Sequence, residues 1–529
     1  MDRRARFSCV ACRRLKRKCP KELPSCSLCL RLEKRCQYPP RARNQPEDVN
    51  EDVNLQAVST TTGELSLRSR GSIPEAPESI NTFPALFFLD SGICTKPLFA
   101  DFNQRRGPPA LFDNVSTEKL EVCETYFSTI HQWLPILSRK CIRRHMIEHE
   151  LAQLPQYDLL FLSMELVSRP LLPGTIAREN KMYLNVLQAL LQVENSCLPS
   201  PQLLQSLILI ATYEIGHAIY PAAYLRVGYA SRLCIMIGLH DRKNAAQLFK
   251  DTPTWTAREE ERRAWWAVFC LDRMTNQGIK GLPLSAPEPS PGELMPSPEA
   301  PWDEGGIGFN EPLFATSFSN NTSLGSFANV CQAGHILGRV LRHRDEVNSS
   351  NISLGFRATE ARQLHHILAS LYSHLDDVSK DSTCLGGSPS TSIALCFSAR
   401  LILYDLYACN EKYSTDHGRS SEEAEMQREA ISGIFDVVRC TWKLARQLLD
   451  SIQQGGGSNH DSANPLLCHC LYEAAGECEW LILEQQDPSA ITWIKDIVEL
   501  LEVIGKRWQA AGVYLSEIYK WPGYSGLVK

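Results

Sequence analysis

From about Leu111 onward, apolar residues recur with a helical period. Over Glu118 to Trp133 they fall at Leu120, Val122, Tyr126, Phe127 and Ile130, along one face of an amphipathic helix. Pro201–Ala218 and Ala222–Gly238 read as a helical pair interrupted at Pro221, with Gly238 placed to stop the second. Thr256-Ala-Arg-Glu259 has capping-box spacing and predicts the start of a helix that runs to Arg273. In that helix Trp265, Val268, Phe269 and Asp272 lie at i, i+3, i+4 and i+7, so an acid ends an apolar stripe. Further helices are expected near Ser326–Arg344, Ala358–Leu375, Ser390–Cys409, Ala424–Leu449, Pro465–Leu483 and Ala490–Leu515. Few segments alternate with period two, so residues 111–529 are expected to form a large all-α helical domain.

The sequence before this body has no such period. Residues 44–110 are mostly polar and contain EDVNEDVN, STTTGE and SIPEAPES, the composition of a flexible, disordered linker. An apolar island, Phe83 to Leu89, interrupts it and is a candidate to dock on the body.

Composition adds two constraints. At 529 residues the chain is too long for one core, so at least two structural units are expected. Hydrophobic content of 43% and charged content of 22% suit a soluble globular protein. The longest largely apolar run, Leu203 to Thr212, is too short to span a bilayer, and the first residues lack the apolar core of a secretory signal. The formal net charge of −5 conceals an asymmetry. Met1 to Arg43 carries 14 basic against 3 acidic residues, and the remainder 41 basic against 57 acidic. A basic arm on an acidic body points to a polyanionic partner for the arm.

Six of the 20 cysteines lie in that arm, spaced Cys9-x2-Cys12-x6-Cys19-x6-Cys26-x2-Cys29-x6-Cys36. The spacing is an internal repeat: CVACRRLKRKC aligns with CSLCLRLEKRC, matching all three cysteines, Arg14 with Arg31 and Leu15 with Leu32. Each half offers a CxxC knuckle, a short helix and a third thiolate, so the module is expected to hold two short pseudo-symmetric helices. Zinc takes four ligands, which one half cannot supply. Two zincs need eight ligand places, so two of the six sulfurs must bridge. The symmetric choice places Cys9, Cys12, Cys19 and Cys26 on one ion and Cys26, Cys29, Cys36 and Cys9 on the other. Two Zn2+ per chain with six thiolates would carry a charge of −2, which suits a basic surround. So short a module cannot bury a stabilising core, so metal must supply its folding free energy. A disulfide framework fits poorly without a secretory signal. Two independent fingers need eight ligands, and ring-type zinc modules use other spacings and usually a His, whereas no His occurs before His131. The other fourteen cysteines lie in apolar, helix-like sequence, where a free Cys behaves as a small hydrophobe.

The halves differ chemically. Arg13-Arg14-Leu15-Lys16-Arg17-Lys18 holds five cations and suits a DNA groove. Leu30-Arg31-Leu32-Glu33-Lys34-Arg35 is more apolar and suits packing against it, with Leu15 and Leu32 facing inward.

CVACRRLKRKCPKELPSCSLCLRLEKRC resembles the DNA-binding domain of the fungal binuclear zinc cluster transcription factors. The match covers the cysteine spacing, the basic run and Pro24, which in that family shapes the loop between the halves, often as a cis bond. The resemblance implies that Lys16 reads a CGG triplet in the major groove, while Arg13, Arg14, Arg17 and Lys18 mostly hold phosphates. Arg13–Lys18 and Arg41–Arg43 could double as a nuclear import signal. Family members often dimerise through a linker coiled coil. No sustained apolar heptads occur between Arg43 and Ser79, so the sequence leaves homodimer and monomer open.

A second resemblance covers about Val122 to Pro296. TYFSTIHQWLPIL, AYLRVGYASRLCIMIGLH and EEERRAWWAVFCLDRMTNQGIKGLPLS are similar to the fungal-specific transcription factor domain, or middle homology region. It implies a regulatory domain that in some members senses a small-molecule effector. The organisation expected is thus a zinc cluster at 1–43, a linker at 44–110 and an all-α regulatory domain at 111–529, with the middle homology region about 120–300. Arg262, Arg263, Asp272 and Arg273 are expected to form structural ion pairs; the functional alternative is a polar wall for an effector pocket. Trp265 and Trp266 are expected in the core. Gly281 to Gly338 contains no Lys or Arg but six acids, with eight prolines between Pro283 and Pro312. It is read as an ordered surface loop, with contact to the transcription machinery as the alternative.

No GxxxxGK[ST], HExxH or GxSxG motif occurs, so no enzyme is expected. His365, His366 and His374 fall on a surface helix, and Cys468-His469-Cys470 cannot converge on one metal if helical. The function expected is sequence-specific regulation of RNA polymerase II genes in a fungal nucleus. The regulator would be an activator of a metabolic gene set, with a secondary-metabolite cluster as the narrower expectation. A co-regulator working through protein partners is the alternative that the missing heptads favour.

Overall fold

The computed structural model describes residues 5, 9, 12, 18–31, 36–38, 116–147, 154–196, 199–245, 247, 254–290, 292–313, 324–346, 354–380, 388–408, 421–454 and 464–528. The linker, its apolar island, the missing-heptad stretch and the first short helix of the arm lie outside the described residues. The chain divides into two units, Met1–Ala76 and Pro77–Lys529. In the first, one helix is described, α1 (Ser27–Arg31).

The second unit is helical, and no strand forms among the described residues. Its first half contains α2 (Ser116–Ser128), α3 (Arg139–Ile147), α4 (Pro155–Ser168), α5 (Lys181–Ser196), α6 (Pro201–Gly216), α7 (Ala222–Ile237) and α8 (Trp255–Thr275). After the short α9 (Glu299–Asp303) come α10 (Ser326–Asp345), α11 (Leu354–Lys380), α12 (Ser388–Ala408) and α13 (Ser421–Gln454). The chain ends its described part with α14 (Cys468–Glu484), α15 (Pro488–Gly505), α16 (Gln509–Ile518) and α17 (Pro522–Val528).

Two helices organise the packing. α6 is buried along nearly its whole length and packs on α4, α7 and α8. Its start is set by Pro201 and by Ser200, whose hydroxyl accepts the Leu203 N–H at 3.1 Å. α12 is the second centre, held between α10, α11 and α13. Its length and composition would allow a membrane span, and 78% of that stretch is buried inside the structure. α7 ends at Gly238, whose φ of +92° is the left-handed C-terminal stop that glycine adopts without strain.

The structure corrects three readings. The N-cap of α8 is Thr254, not Thr256: the Thr254 hydroxyl accepts from Ala257 N at 3.3 Å, while Thr256 is buried inside the helix. Glu259 therefore caps nothing and instead carries the ion pairs described below. Second, Ala490–Leu515 is two helices, because the chain turns at Lys506–Trp508 to drive Trp508 into the core. There its ring lies against Gly216, so closely that an added Cβ would sit 2.3 Å from it. Third, α3, α4 and α5 were not among the expected helices. α4 is buried on almost all sides and so shows little polar–apolar period for a sequence reading to find.

Candidate metal and DNA-binding site

Cys9, Cys12, Cys19, Cys26 and Cys29 are buried and Cys36 is half-buried, and among the described residues Leu28 and Tyr38 pack beside them; Leu15 and Leu32 lie outside the described residues. The sulfurs form two tetrads, each within 4.8 Å: Cys9, Cys12, Cys19, Cys26 and Cys9, Cys26, Cys29, Cys36. Cys9 and Cys26 belong to both. Cys9 and Cys26 are 3.8 Å apart, Cys9 and Cys19 3.9 Å, and Cys12 and Cys26 3.6 Å. A tetrahedral zinc with Zn–S bonds of about 2.3 Å spaces its sulfurs about 3.8 Å apart, so the donor set fits that ion. Cys12 and Cys29, from different tetrads, are also 3.8 Å apart, so the six sulfurs make one continuous cluster.

Backbone geometry explains the convergence. In the first CxxC the chain turns back so that Cys12 N–H donates to Cys9 Sγ at 3.4 Å, and in the second half Cys26 N–H reaches the third cysteine, donating to Cys36 Sγ at 3.3 Å. Such bonds favour thiolate. Burial pushes the Cys9 thiol up, but the Cys12 amide and neighbouring thiols outweigh it and bring it down to about 6. Cys26 is lowered by the same balance, while burial raises Cys12 and takes Cys29 to about 12.

Tyr38 and Glu22, which the sequence reading did not single out, brace the module. Tyr38 Oη donates to the Glu22 carbonyl at 2.7 Å and lies 4.0 Å from Cys19 Sγ. The Glu22 carboxylate accepts the Ser27 N–H at 2.7 Å, capping α1. The Leu23–Pro24 peptide between the halves is cis. Lys18 is exposed; Arg13, Arg14, Lys16 and Arg17 lie outside the described residues.

In the helical unit the charges of α8 fasten the acidic segment after it. Arg263, fully buried, binds Glu259 at 3.1 Å, Ser297 O at 2.7 Å and Pro135 O at 3.3 Å, with its guanidinium over the Trp302 ring. Glu259 also pairs with Arg262 and accepts from Ser297 N and from Asn310. Asp272 accepts the Ser285 and Ala286 amides, both at 3.1 Å, and Arg273 bonds Ala286 O and Glu288. Glu299 caps α10 through Ser326 N and Phe327 N, and Asp303 pairs with His131. Of the six acids in Gly281–Gly338, Glu288, Glu299 and Asp303 are thus held by this unit's own groups. Trp265 and Trp266 lie in the core, Trp266 Nε1 donating to Leu294 O at 3.0 Å.

The other candidate groups do not assemble. His365 Nδ1 bonds Tyr404 Oη at 2.8 Å, while His366 and His374 are exposed. Cys468 and Cys470 are buried and His469 faces Glu473 at 3.7 Å. Among the described residues, only the two cysteine tetrads could hold a metal.

A thiol cluster matched to zinc, on a basic arm joined to a helical body, defines a metal-dependent nucleic-acid-binding regulator. Residues 7–45 match the fungal Zn(2)-Cys(6) binuclear cluster domain and residues 123–278 the fungal specific transcription factor domain. Over 183 residues the chain is 36% identical to transcription factor BOA15 of Botryotinia fuckeliana, covering 34% of this chain and 98% of that protein. It is 24% identical over 360 residues to an uncharacterized transcriptional regulatory protein of Schizosaccharomyces pombe, covering 63% of this chain and 48% of that one. It is 27% identical over 154 residues to the pigment biosynthesis transcriptional activator pigB of Monascus ruber, covering 28% of each. The chain belongs to the fungal binuclear zinc cluster transcription factors: it is a zinc-binding, DNA-binding regulator and not an enzyme.

Proposed function

We propose that this protein is a sequence-specific activator of RNA polymerase II genes in a fungal nucleus, and that its targets form a metabolic gene set of the secondary-metabolite kind. The observation that carries this reading is the pair of thiol tetrads sharing Cys9 and Cys26. The named activities of its relatives, pigment biosynthesis among them, support the choice of target class. Residues 1–43 form the cluster domain, 44–110 the linker and 111–529 the regulatory domain.

Cys9, Cys12, Cys19, Cys26, Cys29 and Cys36 would hold two zinc ions, and bound zinc supplies the folding free energy that so short a module lacks. The chain's own groups then do the recognition. Lys16 presents its ammonium to the acceptor edge of guanine in a CGG-type triplet. Arg13, Arg14, Arg17 and Lys18 hold phosphates and fix the register. The regulatory domain contacts the transcription machinery and answers to a small-molecule effector.

Selection of DNA sites by the zinc-loaded full-length chain tests this. Paired CGG triplets at fixed spacing are expected from a homodimer and a single triplet from a monomer. No enrichment would overturn the reading in favour of a co-regulator. Lys16→Ala is expected to cost about 1–3 kcal/mol on the selected triplet and to relax its base preference. Arg13→Ala should weaken all sequences alike and lower the slope of log K against log salt by about one unit. Binding titrations at several salt concentrations separate the two, and a Lys16→Ala variant with unchanged base preference would refute its assignment.

A further inference from the structure

The groove between α10 and α11 has a volume of about 510 Å³, within the range of small-molecule sites. On α10 its wall is Gln332, His335, Ile336 and Arg339, at i, i+3, i+4 and i+7. On α11 it is Ile367, Ser370, Leu371 and His374, again at i, i+3, i+4 and i+7. Two helices thus turn one complete face each toward the same space. Ile336, Ile367 and Leu371 make the middle of it apolar.

Its charge is one-sided. Among the described residues no carboxylate lines the groove, while Arg339 does, half-buried. Arg339 makes no ion pair or hydrogen bond among the described residues. A groove of about 860 Å³ elsewhere in this unit differs in this respect. Of the arginines in its wall, Arg362, Arg400 and Arg439 pair with Glu425, Glu429 and Asp436, and Arg428 bonds the Ala424 carbonyl beside them. A half-buried guanidinium beside apolar side chains favours an anionic partner there.

We infer that the α10–α11 groove binds an amphipathic monocarboxylate, its apolar body between Ile336, Ile367 and Leu371 and its carboxylate on Arg339. This rests on the effector reading above and gives it a site and a ligand class. The groove also has a route to the rest of the unit. His335, in its wall, lies 3.4 Å from Glu288, which is bound by Arg273 of α8 and by Arg342.

The test is calorimetric titration of the zinc-loaded full-length protein with dodecanoate, a simple member of that class, and with dodecan-1-ol as its neutral counterpart. One dodecanoate per chain is expected, bound at least tenfold more tightly than the alcohol. Arg339→Met should abolish that preference by weakening dodecanoate and leaving the alcohol unchanged. Ser370→Trp, at the exposed edge of the groove, should block both while leaving the circular dichroism spectrum and thermal midpoint near those of the parent. Absence of dodecanoate binding, or binding indifferent to both variants, overturns the proposal. A reporter assay with the same variants separates the two readings. Output that still responds to an acidic culture extract in Ser370→Trp keeps the effector and removes it from this groove. Dodecanoate binding lost in both variants without any reporter response to ligand keeps the site and removes the effector role.

Discussion

Cys9→Ser is expected to abolish specific DNA binding by the full-length chain and to remove both metals rather than one. Cys9 is a member of both thiol tetrads, so its loss leaves three sulfurs in each. Cys19 and Cys36 belong to one tetrad apiece, so Cys19→Ser or Cys36→Ser leaves the other tetrad complete. The ordering follows: Cys9→Ser and Cys26→Ser lose most zinc, with Cys19→Ser and Cys36→Ser retaining more. Structural zinc sites contribute about 10–16 kcal/mol of apparent binding free energy, far more than so small a module can draw from its few apolar contacts. Zinc released to a colorimetric chelator gives the stoichiometry, and fluorescence anisotropy with a selected duplex gives the affinity. Equal zinc loss from Cys9→Ser and Cys36→Ser would show that the sulfurs are not shared as their positions indicate.

Glu259→Leu is expected to destabilise the helical unit by about 3–5 kcal/mol, the range for stripping one partner from a buried ion pair. Glu259 is fully buried and holds Arg263, itself fully buried, along with the Ser297 amide and Asn310. Its removal strands a guanidinium in the core. The double variant Glu259→Leu with Arg263→Leu should recover part of that loss, because it removes the stranded charge along with its partner. Glu304→Gln, an exposed acid of the same segment, should change stability by no more than about 0.5 kcal/mol. Urea unfolding followed by tryptophan fluorescence reads all three, since Trp265, Trp266 and Trp302 lie in the affected core. A Glu259→Leu variant no weaker than Glu304→Gln would remove Glu259 from the centre of this network.

The cluster was legible in the sequence because metal ligation needs fixed residue types at fixed spacing, and six cysteines in a repeat leave few arrangements. The long amphipathic helices were legible for a similar reason: one solvated face imposes a 3.6-residue period. Where burial is all-round, as along α4, that period vanishes and the helix went unread. The cap of α8 differs from the reading because Thr256 has the capping-box partner Glu259 three residues on, whereas Thr254 has only Ala257 there and caps through its hydroxyl alone; only tertiary contacts decide that Glu259 turns inward to Arg263. The break before α16 had no local signal at all. It exists because Trp508 finds its place against Gly216, far away in sequence. The acids of the segment after α8 show the same limit: composition records their charge but not the buried arginines of α8 and the helix end that employ them.

The junction of α15 and α16 has a genetic consequence. Arg507 donates to the Val167 and Ser168 carbonyls at the end of α4, Gln509 bonds Thr175 and Ala177, and Trp508 covers Gly216. The last helices are therefore part of the same core as the stretch that carries the family match. A nonsense codon falling just before Lys506 would not yield a shortened but working regulator. It would open the floor beneath α4 and α6, and such an allele should behave in crosses as a recessive loss of function rather than as a constitutive truncation.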